Sequence, residues 1–178
     1  MDMEEKKVSS ETIFKGKVVT LLKDQVLCPN GNLAYREVIK HPGGAAILCV
    51  TENDEILLER QFRYAYNDVI YEIPAGKLEY GENPYDAAMR EFEEETGNKA
   101  KELIHLTDIY PTCGYSSEII YLYLAKNYTK TKKNLDEDEI IETELIKMDK
   151  VLEMIENGQI RDAKTICALF TYLIKYKK

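Results

Sequence analysis

The run Asn83-Pro84-Tyr85-Asp86-Ala87-Ala88-Met89-Arg90-Glu91-Phe92-Glu93-Glu94-Glu95-Thr96-Gly97 constrains this chain more than any other stretch. Asn83 can cap a helix, Pro84 suits its first position, and Asp86 places a carboxylate near the positive N-terminus. Gly97 suits the left-handed residue that ends a helix. A helix over Pro84 to Thr96 is therefore predicted. At about 100° per residue its side chains sort into faces. Tyr85, Ala88, Met89, Phe92 and Thr96 form the stripe expected to be buried. Glu91, Glu94 and Glu95 share a second face, with Arg90 beside Glu94 and Glu93 pointing elsewhere.

Three carboxylates at i, i+3 and i+4 repel, at a few tenths of a kcal/mol per pair. Hard divalent ions such as Mg²⁺ and Mn²⁺ relieve that repulsion, because they prefer carboxylate, carbonyl and water oxygens. The plainer alternative is a solvated acidic face, or an acidic interaction helix, with no cation at all.

The rest of the chain reads mostly as strands. Residues 1 to about 11 are polar and expected to fray. Phe14 to Leu22, Gln25 to Cys28 and Leu33 to Lys40 are strand candidates, the last two parted by the hairpin signal Pro29-Asn30-Gly31-Asn32. These forty residues are too thin a unit to stand alone. His41-Pro42-Gly43-Gly44 marks a boundary, giving an N-terminal antiparallel unit over 1–43 and a larger domain over 44–178. In the larger domain, Ala45 to Val50 and Ile56 to Phe62 flank a turn, and Val69 to Ile73 is stopped by Pro74-Ala75-Gly76. Strands follow at Leu103 to Tyr110, Glu118 to Ala125 and Ile140 to Met148, with a long loop over Asn127 to Asp138. Two helices close the chain, about Lys150 to Asn157 and Ala163 to Tyr176. Strands in blocks with few helices give the α+β class, a mixed sheet sandwiched by helices.

Composition narrows the function. With 24 Lys+Arg against 32 Asp+Glu the net charge is −8, which argues against nucleic acid or an anionic membrane as partner. Four scattered cysteines form no CxxC pair and read as reduced, and no run approaches the ~18 apolar residues of a membrane span, so cytoplasm is the expected compartment. His41 and His105 are far apart, which disfavours zinc. Tyr35, Phe62 and Tyr64 are expected to be buried rather than to stack on a base.

From Gly76 the chain runs five residues to Glu82, seven more, then Arg90-Glu91-Phe92-Glu93-Glu94-Glu95-Thr96-Gly97. This resembles the box of the Nudix hydrolase family at every fixed position over 23 residues. The one departure is Asn98, where an aliphatic residue is usual, which would weaken a packing contact. The resemblance implies a Nudix fold, with Glu91, Glu94, Glu95 and the main-chain carbonyl of Ala75 as ligands of Mg²⁺, with Mn²⁺ possible in its place. It makes Arg90 and Glu82 orienting ion-pair partners.

Arg60-Gln61-Phe62-Arg63, Tyr71 to Gly76, and Tyr35-Arg36-Glu37 with His41-Pro42-Gly43 are similar to bacterial ADP-ribose pyrophosphatases. That implies a homodimer with an exchanged N-terminal sheet, and hydrolysis of ADP-ribose to AMP and ribose 5-phosphate. By position, Arg63 would bind the diphosphate and Glu72 would help hold the substrate. Arg36 and Glu37 would reach the adenine or ribose, though both also read as an exposed cross-strand pair. Gly114 and Glu118 fall in the loop after the box as further substrate contacts, but Cys113 stands where the subgroup has a proline. A glutamate before the last strand is implied as general base, and Glu137 and Glu139 both fit. Another nucleoside diphosphate sugar or a dinucleotide is the alternative substrate. A non-catalytic nucleotide-sugar sensor on the same fold is the alternative of another class.

Overall fold

The computed structural model describes residues 3–137 and 139–177, so Met1, Asp2, Lys178 and Asp138 of the acidic stretch lie outside it. The chain divides into two compact units, Met1–Gly43 with Tyr110–Ile119, and Gly44–Ile109 with Ile120–Lys178.

In the first unit, β1 (Lys6–Lys15), β2 (Thr20–Leu27) and β3 (Leu33–Lys40) form an antiparallel sheet in that order. β1 corrects two expectations: the polar start is a ten-residue strand, and Gly16 to Val19 is a turn rather than part of a strand. Its residues are exposed throughout, so backbone pairing with β2, and not burial, holds it. The segment 110–119 joins this unit through Ile39, whose N–H donates to Tyr115 O at 2.7 Å and whose carbonyl accepts from Ser117 N at 2.9 Å.

The second unit contains the strands β4 (Gly44–Cys49), β5 (Glu55–Arg63), β6 (Asp68–Glu72), β7 (Ala75–Lys77), β8 (Asn98–Ala100), β9 (Leu103–Ile109), β10 (Ile120–Ala125), β11 (Tyr128–Lys130) and β12 (Ile141–Lys147). Its helices are α1 (Pro84–Thr96), α2 (Met148–Glu156) and α3 (Ala163–Tyr176). β7-β4-β10-β9 is a mixed sheet, parallel only between β4 and β10; β12-β5-β6 is antiparallel, and β11 pairs with β8. Two expectations change here. Pro74 interrupts the chain but Ala75–Lys77 resumes as a strand, and the loop after Asn127 contains β11.

β4 is buried on both faces, as an unbroken apolar run in a central strand requires. Ala46 and Leu48 enter one core with Leu122, Leu124, Val151, Met154, Ala168 and Leu169. Ala45, Ile47 and Cys49 enter another with Tyr123, Ala87, Ala88 and Phe92. The period of two thus places α1 on one side of the mixed sheet and the closing helices on the other. Among the described residues, no helix is long and apolar enough to cross a membrane. All four cysteines are free.

Candidate active site

The ends of α1 follow from its residues. Asn83 is extended and its side chain accepts from Tyr85 N at 2.9 Å; Gly97, at φ 65°, donates its N–H to Glu93 O at 3.0 Å. The buried face differs from the expected stripe. Ala87, Ala88, Phe92, Glu95 and Thr96 are buried, while Tyr85 is exposed. Small residues let the helix approach the sheet closely, and that approach carries Glu95 inward. Asn98, the departure from the box, is buried and hydrogen-bonded locally: its backbone N–H donates to Thr96 Oγ1 at 3.1 Å, and its Nδ2 donates to Thr96 O at 3.2 Å.

Arg90 organises the acidic face. Its Nε and Nη2 each donate to Glu82 at 3.1 Å, while Nη1 donates to Glu91 at 2.8 Å and to Glu94 at 3.1 Å. This guanidinium holds Glu82 well below the usual carboxylate range. Glu82 in turn accepts from Glu79 N at 2.8 Å, which ties the preceding loop to the helix. Glu93 faces away and pairs with Lys99 at 3.2 Å.

The turn at Ala75 and Gly76 receives the other carboxylates. Ala75 N donates to Glu95 Oε2 at 2.9 Å. A Cβ added at Gly76 would lie 1.8 Å from the Glu91 carboxyl carbon, so only glycine leaves room for that carboxylate. Burial, then the charges of Glu59 and Glu91, push Glu95 far above its ordinary value. Burial also raises Glu91, against the pull of Arg90. Glu139 adds to the upward push on both, and it is partly buried, whereas Glu137 is exposed. The segment carrying these acids is tacked to the C-terminus of α1: Thr131 N donates to Gly97 O at 2.8 Å and Asn134 N to Glu94 O at 2.9 Å.

Beside this cluster, Arg63 Nε and Nη2 both donate to Glu72 at 2.8 Å, and Glu72 also receives Lys164. Burial lowers Lys164, but Asp162 and Glu72 outweigh it and keep the ammonium charged. Asp162 caps α3 by accepting from Thr165 N at 2.9 Å, and Ile73 N donates to Thr165 Oγ1 at 2.9 Å. Sequence reasoning gave Lys164, Asp162 and Thr165 no role. The available signal was an Asp three residues before a Thr at a helix start. Glu59 was missed as well.

The remaining sequence candidates lie in the first unit. Arg36 pairs with Glu5, its Nε at 3.0 Å from Oε2; Glu37 is exposed opposite Lys23. Glu118 Oε1 stands 3.5 Å from His41 Nδ1, and Gly114 is exposed. Tyr35, Phe62 and Tyr64 are exposed, contrary to expectation, because the pleat turns Tyr35 and Phe62 outward from β3 and β5 and Tyr64 opens the turn after β5.

The family model for the NUDIX domain matches residues 40–169. The chain belongs to the NUDIX domain family. It is 43% identical over 169 residues to an ADP-ribose pyrophosphatase of Bacillus subtilis (strain 168), covering 94% of this chain and 91% of that one. It is 40% identical over 168 residues to a methanol dehydrogenase activator of Bacillus methanolicus, covering 93% and 91%. A crystal structure of an ADP compounds hydrolase shares the Nudix fold at a TM-score of 0.86, with 21% identity over 99% of this chain and 97% of that one.

Nudix hydrolases generally need a divalent metal, and the residues of this Nudix box suit one. Their side-chain donors are all carboxylate oxygens, the choice of a hard cation. Glu95 and Glu59 are buried carboxyls, and among the described residues Glu59 Oε1 has no hydrogen-bond partner. Among the described residues, no three acidic or metal-binding side chains already stand as a closed cage. Arg90 engages oxygens of Glu91 and Glu94 instead.

Proposed function

We propose that this chain hydrolyses the diphosphate of ADP-ribose to AMP and ribose 5-phosphate, as a cytoplasmic homodimer using Mg²⁺ or Mn²⁺. The observation that carries the reading is the seating of Glu91 against Gly76 and of Glu95 on Ala75 N. It gathers the box carboxylates around one backbone turn. The name of the 43% identical relative supplies the substrate.

Glu91, Glu94, Glu95 and the Ala75 carbonyl would hold the cation, once the oxygens of Glu91 and Glu94 turn from Arg90. Bound there, the cation neutralises non-bridging phosphate oxygens and acidifies a water. The chain's own residues do the rest. Glu139 takes a proton from the attacking water as its oxygen bonds to phosphorus. The bond from that phosphorus to the bridging oxygen breaks, and its electron pair leaves with the departing phosphate. Glu82 keeps Arg90 fixed, so that the carboxylates stay aimed. Arg63 is clamped by Glu72 through Nε and Nη2, which leaves Nη1 for a diphosphate oxygen.

Dimerisation is supported by the first unit's sheet, where Val8, Ile13, Phe14, Leu33 and Tyr35 are all exposed. Apolar residues left uncovered on one sheet suit a second copy. In such a dimer Arg36, Glu37, Gly114 and Glu118 would serve the substrate's adenosine end.

A panel of ADP-ribose, ADP-glucose, GDP-mannose and a dinucleotide, compared by kcat/KM, tests the substrate. ADP-ribose should lead by at least about tenfold, or roughly 1.4 kcal/mol of transition-state binding. A higher value for another nucleotide sugar would transfer the assignment to it.

A further inference from the structure

After Glu55, β5 runs through the apolar residues Ile56, Leu57 and Leu58, all buried. Glu59 follows them. It is only 1% exposed, and among the described residues its Oε1 meets no donor. A carboxylate there forgoes hydration that an aliphatic side chain would never need. Such a residue persists against packing only if something occupies its oxygen.

The neighbouring cations are already engaged. Glu59 on β5 stands directly opposite Glu72 on β6, but Arg63 and Lys164 are both bonded to Glu72. Lys133, whose charge also reaches Glu59, donates to Ile141 O at 3.4 Å. Leu57, two residues earlier on the same face of β5, packs with Ala87, Ala88 and Phe92 of α1, so Glu59 faces the helix that carries the Nudix box. Glu95, on that helix, is buried too and has one oxygen given to Ala75 N. The orphan oxygen therefore lies on the α1 side of β5, while Arg63 and Lys164 beside it are spent on Glu72.

We propose that Glu59 completes the cation site from the sheet side, its Oε1 accepting a hydrogen bond from a water on the divalent ion held by Glu95. Small hard cations keep several of their waters, and those waters need acceptors. A buried carboxylate with a free oxygen is such an acceptor, and it adds a negative charge that helps retain the ion. Glu59 is a positioning residue here, since it acts through the water. The inference rests on the reading of Glu91, Glu94 and Glu95 as ligands.

Mn²⁺ alone is titrated into the full chain and free Mn²⁺ is counted by its electron paramagnetic resonance signal, with melting followed in parallel. Glu59→Gln should weaken Mn²⁺ binding by about 10- to 100-fold, the usual cost of losing an outer-shell partner. Metal-free Glu59→Leu should melt no lower than wild type, yet gain less on adding Mn²⁺. The inference is overturned if both variants bind Mn²⁺ as wild type does, with the same rise in melting temperature, while Glu95→Gln loses it. In that event the ligand reading survives. If wild type itself takes up no Mn²⁺, both readings fall.

Discussion

Arg90 grips Glu82 through two parallel hydrogen bonds, Nε to Oε1 and Nη2 to Oε2, and spends its remaining nitrogen on Glu91 and Glu94. One planar fork thus ties the loop before α1 to the acidic face of the helix, where Glu91 and Glu94 lie within a single turn. A lysine at this position offers a single point charge and no fork. Arg90→Lys should therefore lower kcat by about 10- to 100-fold while the chain stays folded. Steady-state kinetics beside a circular dichroism melt check this, and an unchanged kcat would leave Arg90 without its orienting role.

Gly76 owes its place to close approach. Its backbone is not in the left-handed region, but a methyl group there would collide with the Glu91 carboxylate. That carboxylate ends a flexible side chain, so Gly76→Ala should displace it and leave the fold intact. Turnover should drop by about 100-fold or more, since a ligand charge is moved from the reacting phosphate. A variant that loses melting temperature but keeps turnover would mean the glycine serves folding instead.

Burial, and then neighbouring carboxylates, raise Glu59 and Glu95 above the ordinary value of 4.5. Above that value the unfolded chain has released protons that the folded, metal-free chain still holds. Raising the pH from there toward the raised values therefore favours unfolding. A divalent ion replaces those protons. The rise in melting temperature on adding Mn²⁺ should accordingly be larger near pH ~8 than near pH ~6. An equal rise at both would show that no buried proton is displaced.

Glu139 and Glu137 were equivalent by position in the sequence, and their surroundings separate them. Glu139 is partly buried and its charge reaches both Glu91 and Glu95, whereas Glu137 is exposed. Glu139→Gln should cost about 10²- to 10⁴-fold in kcat, as loss of a general base does, and Glu137→Gln little. The reverse ranking would move the proton acceptor to Glu137.

The helix and its box were legible because local rules agree there: Asn83 caps, Gly97 terminates, and the apolar and acidic positions separate at 3.6 residues per turn. β4 was legible for a similar reason, as an unbroken apolar run. β1 was not, since Lys6–Lys15 is polar and exposed and its order comes from pairing with β2, which leaves no periodic trace. Glu59 was hidden differently. An acid in the middle of a strand gives no local sign that it is buried, and only the pairing of β5 with β6 and the packing of its Leu57 face against α1 turn it inward. Lys164 likewise has a meaning only once Glu72, ninety-two positions away, lies against it.

The central claim is that box carboxylates and a divalent ion together cleave the diphosphate. The most direct measurement is chromatographic: ADP-ribose is incubated with the chain in Mg²⁺, in Mn²⁺, and in excess chelator, and Glu95→Gln is run alongside. AMP and ribose 5-phosphate should appear in equal amounts with either metal, and fall to background with chelator or with Glu95→Gln. Unchanged ADP-ribose in the presence of both metals, or hydrolysis that persists in chelator, would contradict the account.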